Sequence, residues 1–150
     1  MARFVRTWGL VVFWIIAIAA ESTDRFSAIH TQGVLEAMLT WVFGAMSPDK
    51  LEHLNHILRK IGHFAGYAGL SHALYYAFSR SLERLAHWKH ALSALLCTAL
   101  IASADEFHQS FIPSRTASVH DVALDSLGAF AMQVCILAAI LLTQRKALES

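Results

Sequence analysis

The stretch VHDVALDSLGAFAMQVCILAAILL, Val119 to Leu142, holds only two formally charged residues, Asp121 and Asp125, and both lie in its first seven positions. From Ser126 onward the run is uncharged. An α-helix rises about 1.5 Å per residue, so this segment exceeds the roughly 30 Å hydrocarbon core of a bilayer and reads as a membrane-spanning helix. Working outward, three further apolar stretches read the same way: Phe4 to Ala20, Ile61 to Phe78 and Ala91 to Ala104. No alternating apolar pattern suited to a β-barrel occurs. The expected fold class is therefore all-α, a polytopic membrane helical bundle of about four transmembrane helices plus a short outer interfacial helix.

Composition supports that class. Of 150 residues, 56% are hydrophobic and 15% charged, against roughly a quarter charged in soluble domains, so polar surface is too scarce to coat a soluble globule. The net charge of +1 argues against a polyanion-binding surface and excludes nucleic acid as the expected partner. Cys97 and Cys135 sit inside apolar runs and read as small packing residues, not as a disulfide framework. The length fits a single domain over residues 1–150. Arg3 and Arg6 ahead of an apolar run ending in Ala17-Ile18-Ala19 also resemble a secretory signal. The reading preferred is an uncleaved helix, which Glu21-Ser22-Thr23-Asp24 would stop.

Basic residues set the expected orientation. Arg3 and Arg6 precede the first span, Arg80, Arg84 and Lys89 fill the connection between the second and third, and Arg145 and Lys146 follow the fourth. By the positive-inside rule both termini are cytoplasmic, and most of the acids fall on the outer side. In the outer segment, Val34, Leu35, Met38, Leu39, Trp41, Val42, Ala45 and Met46 keep helical spacing and predict an interfacial helix. Ser47-Pro48 reads as an N-cap with proline at the first helical position, starting a helix with Leu51, Leu54 and Leu58 on one side that runs on into the second span. Gly62 with Gly66 reads as a close helix-packing face. Trp8, Trp41 and Trp88 read as interfacial anchors.

Ionisable groups in or near membrane spans are expensive, so their shared depth is informative. Counting back from Arg80 puts Lys60 about 30 Å away, at the outer boundary, with His63 and Tyr67 on the same face one and two turns deeper. Counting up from Trp88 brings Asp105 and Glu106 to a similar depth, with Gln109 one turn beyond Asp105. After Pro113 and Arg115, Ser118 is the expected cap of the last span, with Asp121 and Asp125 four apart on one face and Gly128 just below. Four carboxylates are thus expected to converge with Lys60, His63 and Arg115.

These residues resemble a known family. The patterns Arg59-Lys60-x-x-His63-Phe64-x-x-Tyr67, Asp105-Glu106-x-x-Gln109-x-Phe111-x-Pro113-x-Arg115 and Asp121-x-x-x-Asp125-x-x-Gly128 are similar, in the same order, to those of VanZ-like membrane proteins. The resemblance covers a motif core of about residues 58–132. It implies a helical bundle in the bacterial cytoplasmic membrane and a link to teicoplanin resistance, with which the founding member is associated. It supplies no mechanism. The family commonly has Asn where this chain has Asp125, and often Gly where it has Met132.

The preferred functional expectation is an outward-facing polar site that binds a lipid-linked or amphiphilic cell-envelope molecule. Lys60, Tyr67, Gln109, Arg115, Asp121 and Asp125 would do the binding, and membrane lipids would be the surrounding partners. The second reading is catalytic, with His63, Asp105 or Glu106 as acid or base on a lipid head group and Arg115 stabilising developing negative charge. The third is structural, the charges only locking helix pairing.

Each residue has a plainer reading as well. Asp121 in a first helical turn complements the helix dipole. One of Asp105 and Glu106 would serve as counter-ion to Lys60 or Arg115. His63 would hydrogen-bond Asp105. Arg115 would be an interfacial anchor, although its planar fork suits a carboxylate or phosphate better than lysine does. His53, His56, His63, His108 and His120 show no metal-ligand spacing, so no metal and no cofactor are expected.

Overall fold

The computed structural model describes residues 2–23, 28–113 and 117–149. Asp24 and Arg115 lie outside the described residues, as do the side chains of Arg3, Val34 and Leu35. Among the described residues the chain is all-helical, with α1 Ala2–Glu21, α2 Ala28–Phe43, α3 Pro48–Ser81, α4 His87–Gln109 and α5 Val119–Glu149.

Local chemistry sets the boundaries. Gly44 stops α2 with φ at 81°, a left-handed position that glycine takes without steric penalty, and its N–H closes onto the Thr40 carbonyl at 2.8 Å. Ser47 is extended with Pro48 at the first helical position, as expected, but caps through its carbonyl, which accepts from Lys50 and Leu51 N–H, each at 3.1 Å. From there α3 continues unbroken for 34 residues, so the helix begun at Pro48 and the apolar segment after it are one rod. Ser118 starts α5 by accepting the His120 N–H on its hydroxyl at 3.1 Å.

The long helix α3 is the centre of the bundle and packs against α1, α4 and α5. Its Leu70, Ala73 and Ala77 are fully buried together with Ala94 and Ala102 of α4 and Ala129 of α5. Small side chains at these contacts let the helix axes approach closely, as in membrane bundles. The tightest approach is at Gly128, where a Cβ would run into the Phe64 carbonyl oxygen and lie 3.1 Å from its carbon. Gly69 makes the second, beneath the Trp14 ring. Gly62 and Gly66, expected to form the packing face, have nothing within 4 Å of a built Cβ. Gly66 borders a cavity between α1, α3 and α4 instead, and the close contact with α5 is made at Gly128.

Outward faces are apolar. Helix α1 over Phe4–Glu21 and α5 over Val119–Glu149 are each long and apolar enough to cross a membrane. Helix α4 exposes Leu92, Leu96, Leu100 and Phe107 along one side. Leu127, Phe130, Val134 and Leu141 do the same on α5. The polar residues of the interior instead gather towards the end of the bundle opposite Arg80 and Lys89.

Candidate functional site

At that acidic end three helices each contribute a short ladder. Lys60, His63 and Tyr67 descend one face of α3, Asp105 and Gln109 stand one turn apart on α4, and Asp121 and Asp125 one turn apart on α5. Each α3 side chain meets a different carboxylate. Lys60 Nζ donates to Asp121 Oδ1 at 3.1 Å. Tyr67 Oη donates to Asp105 Oδ2 at 3.0 Å, and Gln109 Nε2 donates to the same oxygen at 3.0 Å. His63 Nδ1 lies 3.5 Å from Asp125 Oδ1, within ion-pair reach but at the outer limit of hydrogen bonding. Asp125 is completely buried, and among the described residues neither of its oxygens nor His63 Nδ1 has a hydrogen-bond partner.

The structure therefore brings Lys60, His63, Tyr67, Asp105, Gln109, Asp121 and Asp125 together, and corrects how they pair. The counter-ion of Lys60 is Asp121, not Asp105 or Glu106. The partner of His63 is Asp125, not Asp105, whose Oδ2 already accepts from Tyr67 and Gln109. The reason is helix register: α3 and α5 run parallel, so residue 63 comes level with residue 125, as residue 60 does with 121.

Glu106 is buried but leaves α4 about 100° round from Asp105, and its Oε2 accepts the Ser118 N–H at 2.8 Å. It thereby joins the end of α4 to the start of α5. Burial pushes its carboxyl above the ordinary value of 4.5, against the pull of the Ser118 N–H in the opposite direction. The neighbouring carboxylates add to the rise.

Between α1, α3 and α4 lies a cavity of about 10 Å³, lined by Glu21, Ser22, His63, Tyr67, Asp105 and Gln109. That is on the order of one water. Among the described residues no three His, Cys, Asp or Glu side chains converge in a way that would hold a metal.

Sequence reasoning missed Ser22, which is buried beside this cavity with its hydroxyl 3.2 Å from His108 Nδ1. It also missed a deeper polar contact, Gln133 Nε2 donating to Ser71 Oγ at 2.7 Å and to the Ser71 carbonyl at 3.0 Å. The available signal was Gln133 itself, an amide in an apolar run eight residues after Asp125.

Comparison with known proteins supports the family resemblance. A family model described as VanZ/LLP1 matches residues 7–142, from the first helix to the end of the apolar part of α5. No curated protein and no solved structure gives a significant match. With the match spanning nearly the whole chain, the protein belongs to the VanZ/LLP1 family.

Proposed function

We propose that this chain is a multi-pass protein of the bacterial cytoplasmic membrane. Its acidic end, on the outer face, binds the polar head of a lipid-linked or amphiphilic cell-envelope molecule. Four segments cross: α1, the Ile61–Phe78 part of α3, the Ala91–Ala104 part of α4 and the Val119–Leu142 part of α5, with both termini cytoplasmic. Family membership and two sufficiently apolar helices support the membrane assignment. For α4 the support is its exposed apolar stripe of Leu92, Leu96 and Leu100. The polar end of an otherwise apolar bundle suits a ligand with a head at the interface and a tail among the helices.

The observation that carries the site is the His63–Asp125 pair. A fully buried carboxylate without hydrogen bonds is destabilising, and such groups persist where function requires them. A link to teicoplanin resistance is part of this proposal and rests on the family alone.

The same pair favours a second reading, acid/base catalysis on the head group. An imidazole beside a carboxylate is held in orientation and can accept or donate a proton near neutral pH. In that reading His63 carries the proton and Asp125 orients it, while Asp105 holds Tyr67 and Gln109 in place.

Native mass spectrometry of the protein ejected directly from bacterial membrane vesicles tests the proposal. Wild type is expected to retain a bound amphiphile that the His63→Ala, Asp125→Leu double variant loses. Equal retention, or none by either protein, overturns it. Conversion of the retained molecule on incubation would select the catalytic reading.

A further inference from the structure

Below the acidic end, α3 carries polar side chains at every fourth position: His63, Tyr67, Ser71 and Tyr75. Every one meets a polar group of α4 or α5. His63 faces Asp125, and Tyr67 donates to Asp105. Ser71 Oγ accepts from Gln133, keeping the 62-residue offset of the His63–Asp125 pair. Tyr75 Oη lies 2.9 Å from His87 Nδ1, and its ring meets His90 edge-on at 6.2 Å. Tyr67, Ser71 and Tyr75 are all buried. The ladder therefore runs from the acidic end of the bundle to the basic end beside Arg84 and Lys89.

A second observation falls on the same line. Among the described residues, the buried side-chain atoms without a hydrogen-bond partner are Asn55 Oδ1 and five others. Those five are His63 Nδ1, both Asp125 oxygens, Gln133 Oε1 and His90 Nδ1, all on the ladder or its partners. Buried polar atoms in native proteins pair with protein or with ordered water. Successive rungs leave α3 about 6 Å apart along its axis at four residues per step, and Ser71 Oγ also donates to the Ala129 carbonyl at 3.4 Å.

We propose that this ladder is a hydrated proton path across the membrane, joining the His63–Asp125 pair on the outer face to Tyr75, His87 and His90 on the inner face. At each hop a lone pair of an oxygen or imidazole nitrogen takes one proton and the group releases another. Only O–H and N–H bonds change, and no co-reactant is consumed. The Gln133 amide holds the Ser71 hydroxyl in line and does not itself carry the proton. Chains of ionisable and hydroxyl groups inside membrane proteins characteristically serve proton movement. The inference rests on the four-span reading and not on the identity of any head group.

The test uses the full chain in phosphatidylcholine–phosphatidylglycerol vesicles loaded with a pH-sensitive dye, with a potassium diffusion potential set by valinomycin. Wild type is expected to acidify the lumen several-fold faster than protein-free vesicles do. Tyr75→Phe, which removes the hydroxyl beside His87, and Ser71→Ala should each cut that rate several-fold. Ser103→Ala, on the exposed side of α4, should not. Wild-type vesicles no faster than protein-free ones overturn the path whatever the variants do, and so does wild-type flux in both Tyr75→Phe and Ser71→Ala. Amphiphile retention is read separately by mass spectrometry, so failure of one proposal leaves the other standing.

Discussion

The backbone of Phe64 and the α-carbon of Gly128 are in contact, and no side chain fits between them. This contact fixes the depth at which α5 docks on α3, and hence that His63 comes level with Asp125. Gly128→Ala must push the helices apart, which in a packed interior costs about 1–3 kcal/mol. Gly62 has open space, so Gly62→Ala should be neutral or stabilise by up to about 1 kcal/mol through helix propensity. Thermal unfolding in detergent, followed by circular dichroism, should show Gly128→Ala well below wild type and Gly62→Ala at or above it.

Much of this arrangement is legible in the amino-acid order, and the remainder is hidden for identifiable reasons. Ser47-Pro48 announces the start of α3 because capping is a local matter, and the four-residue spacing of Asp121 and Asp125 places them on one face because helix periodicity is local too. Pairing between helices is not local. Gly62-x-x-x-Gly66 has the form of a packing face, yet Gly128 and Gly69 make the close contacts, because only the docked position of α5 and α1 decides which glycine is covered. The turn of Glu106 towards Ser118 depends likewise on the path of the chain between α4 and α5. The Ser71–Gln133 contact follows from the parallel register of α3 and α5, which no single helix reveals.

Glu106 gives the structure a pH dependence with a definite sign. Its carboxyl is raised by burial, so the folded state holds this proton more tightly than the unfolded chain does. The stability contributed by the protonated form is complete below the ordinary value of 4.5 and is lost as pH rises through the folded value. Glu106→Gln keeps an acceptor for the Ser118 N–H and cannot titrate. Its melting temperature relative to wild type should therefore increase from about pH 4 upward and level off once wild-type Glu106 is ionised. A difference that stays flat with pH, or falls, would contradict the assignment.

The proposed topology rests on the basic residues flanking α3 and α4. In a Cys97→Ala, Cys135→Ala background, His53→Cys at the acidic end should react with a membrane-impermeant maleimide in intact cells. Ser81→Cys, at the basic end, should react only after the membrane is opened. Both parent positions are exposed, so protection of either reports sidedness and not packing. Labelling of Ser81→Cys in intact cells would reverse the orientation.

Asp125 separates a working site from a structural lock. Its carboxylate is fully buried, has no hydrogen bond among the described residues and stands 3.5 Å from the His63 imidazole. A buried polar group left unsatisfied costs about 1–3 kcal/mol, whereas an apolar side chain of similar shape carries no such penalty. Asp125→Leu is therefore expected to raise the melting temperature while abolishing amphiphile retention, the trade expected of a residue kept for function at the expense of stability. Asp125→Asn installs the residue that VanZ-like proteins commonly carry at this position and preserves the shape, so it should keep both stability and retention. Asp105→Asn should lose stability, because Oδ2 of Asp105 accepts from both Tyr67 and Gln109 and the charge strengthens both bonds. Unfolding curves and native mass spectra of the three variants, prepared side by side, decide the matter. A fall in melting temperature for Asp125→Leu as large as that for Asp105→Asn would make the His63–Asp125 pair a brace between α3 and α5, and the site would lose its central group.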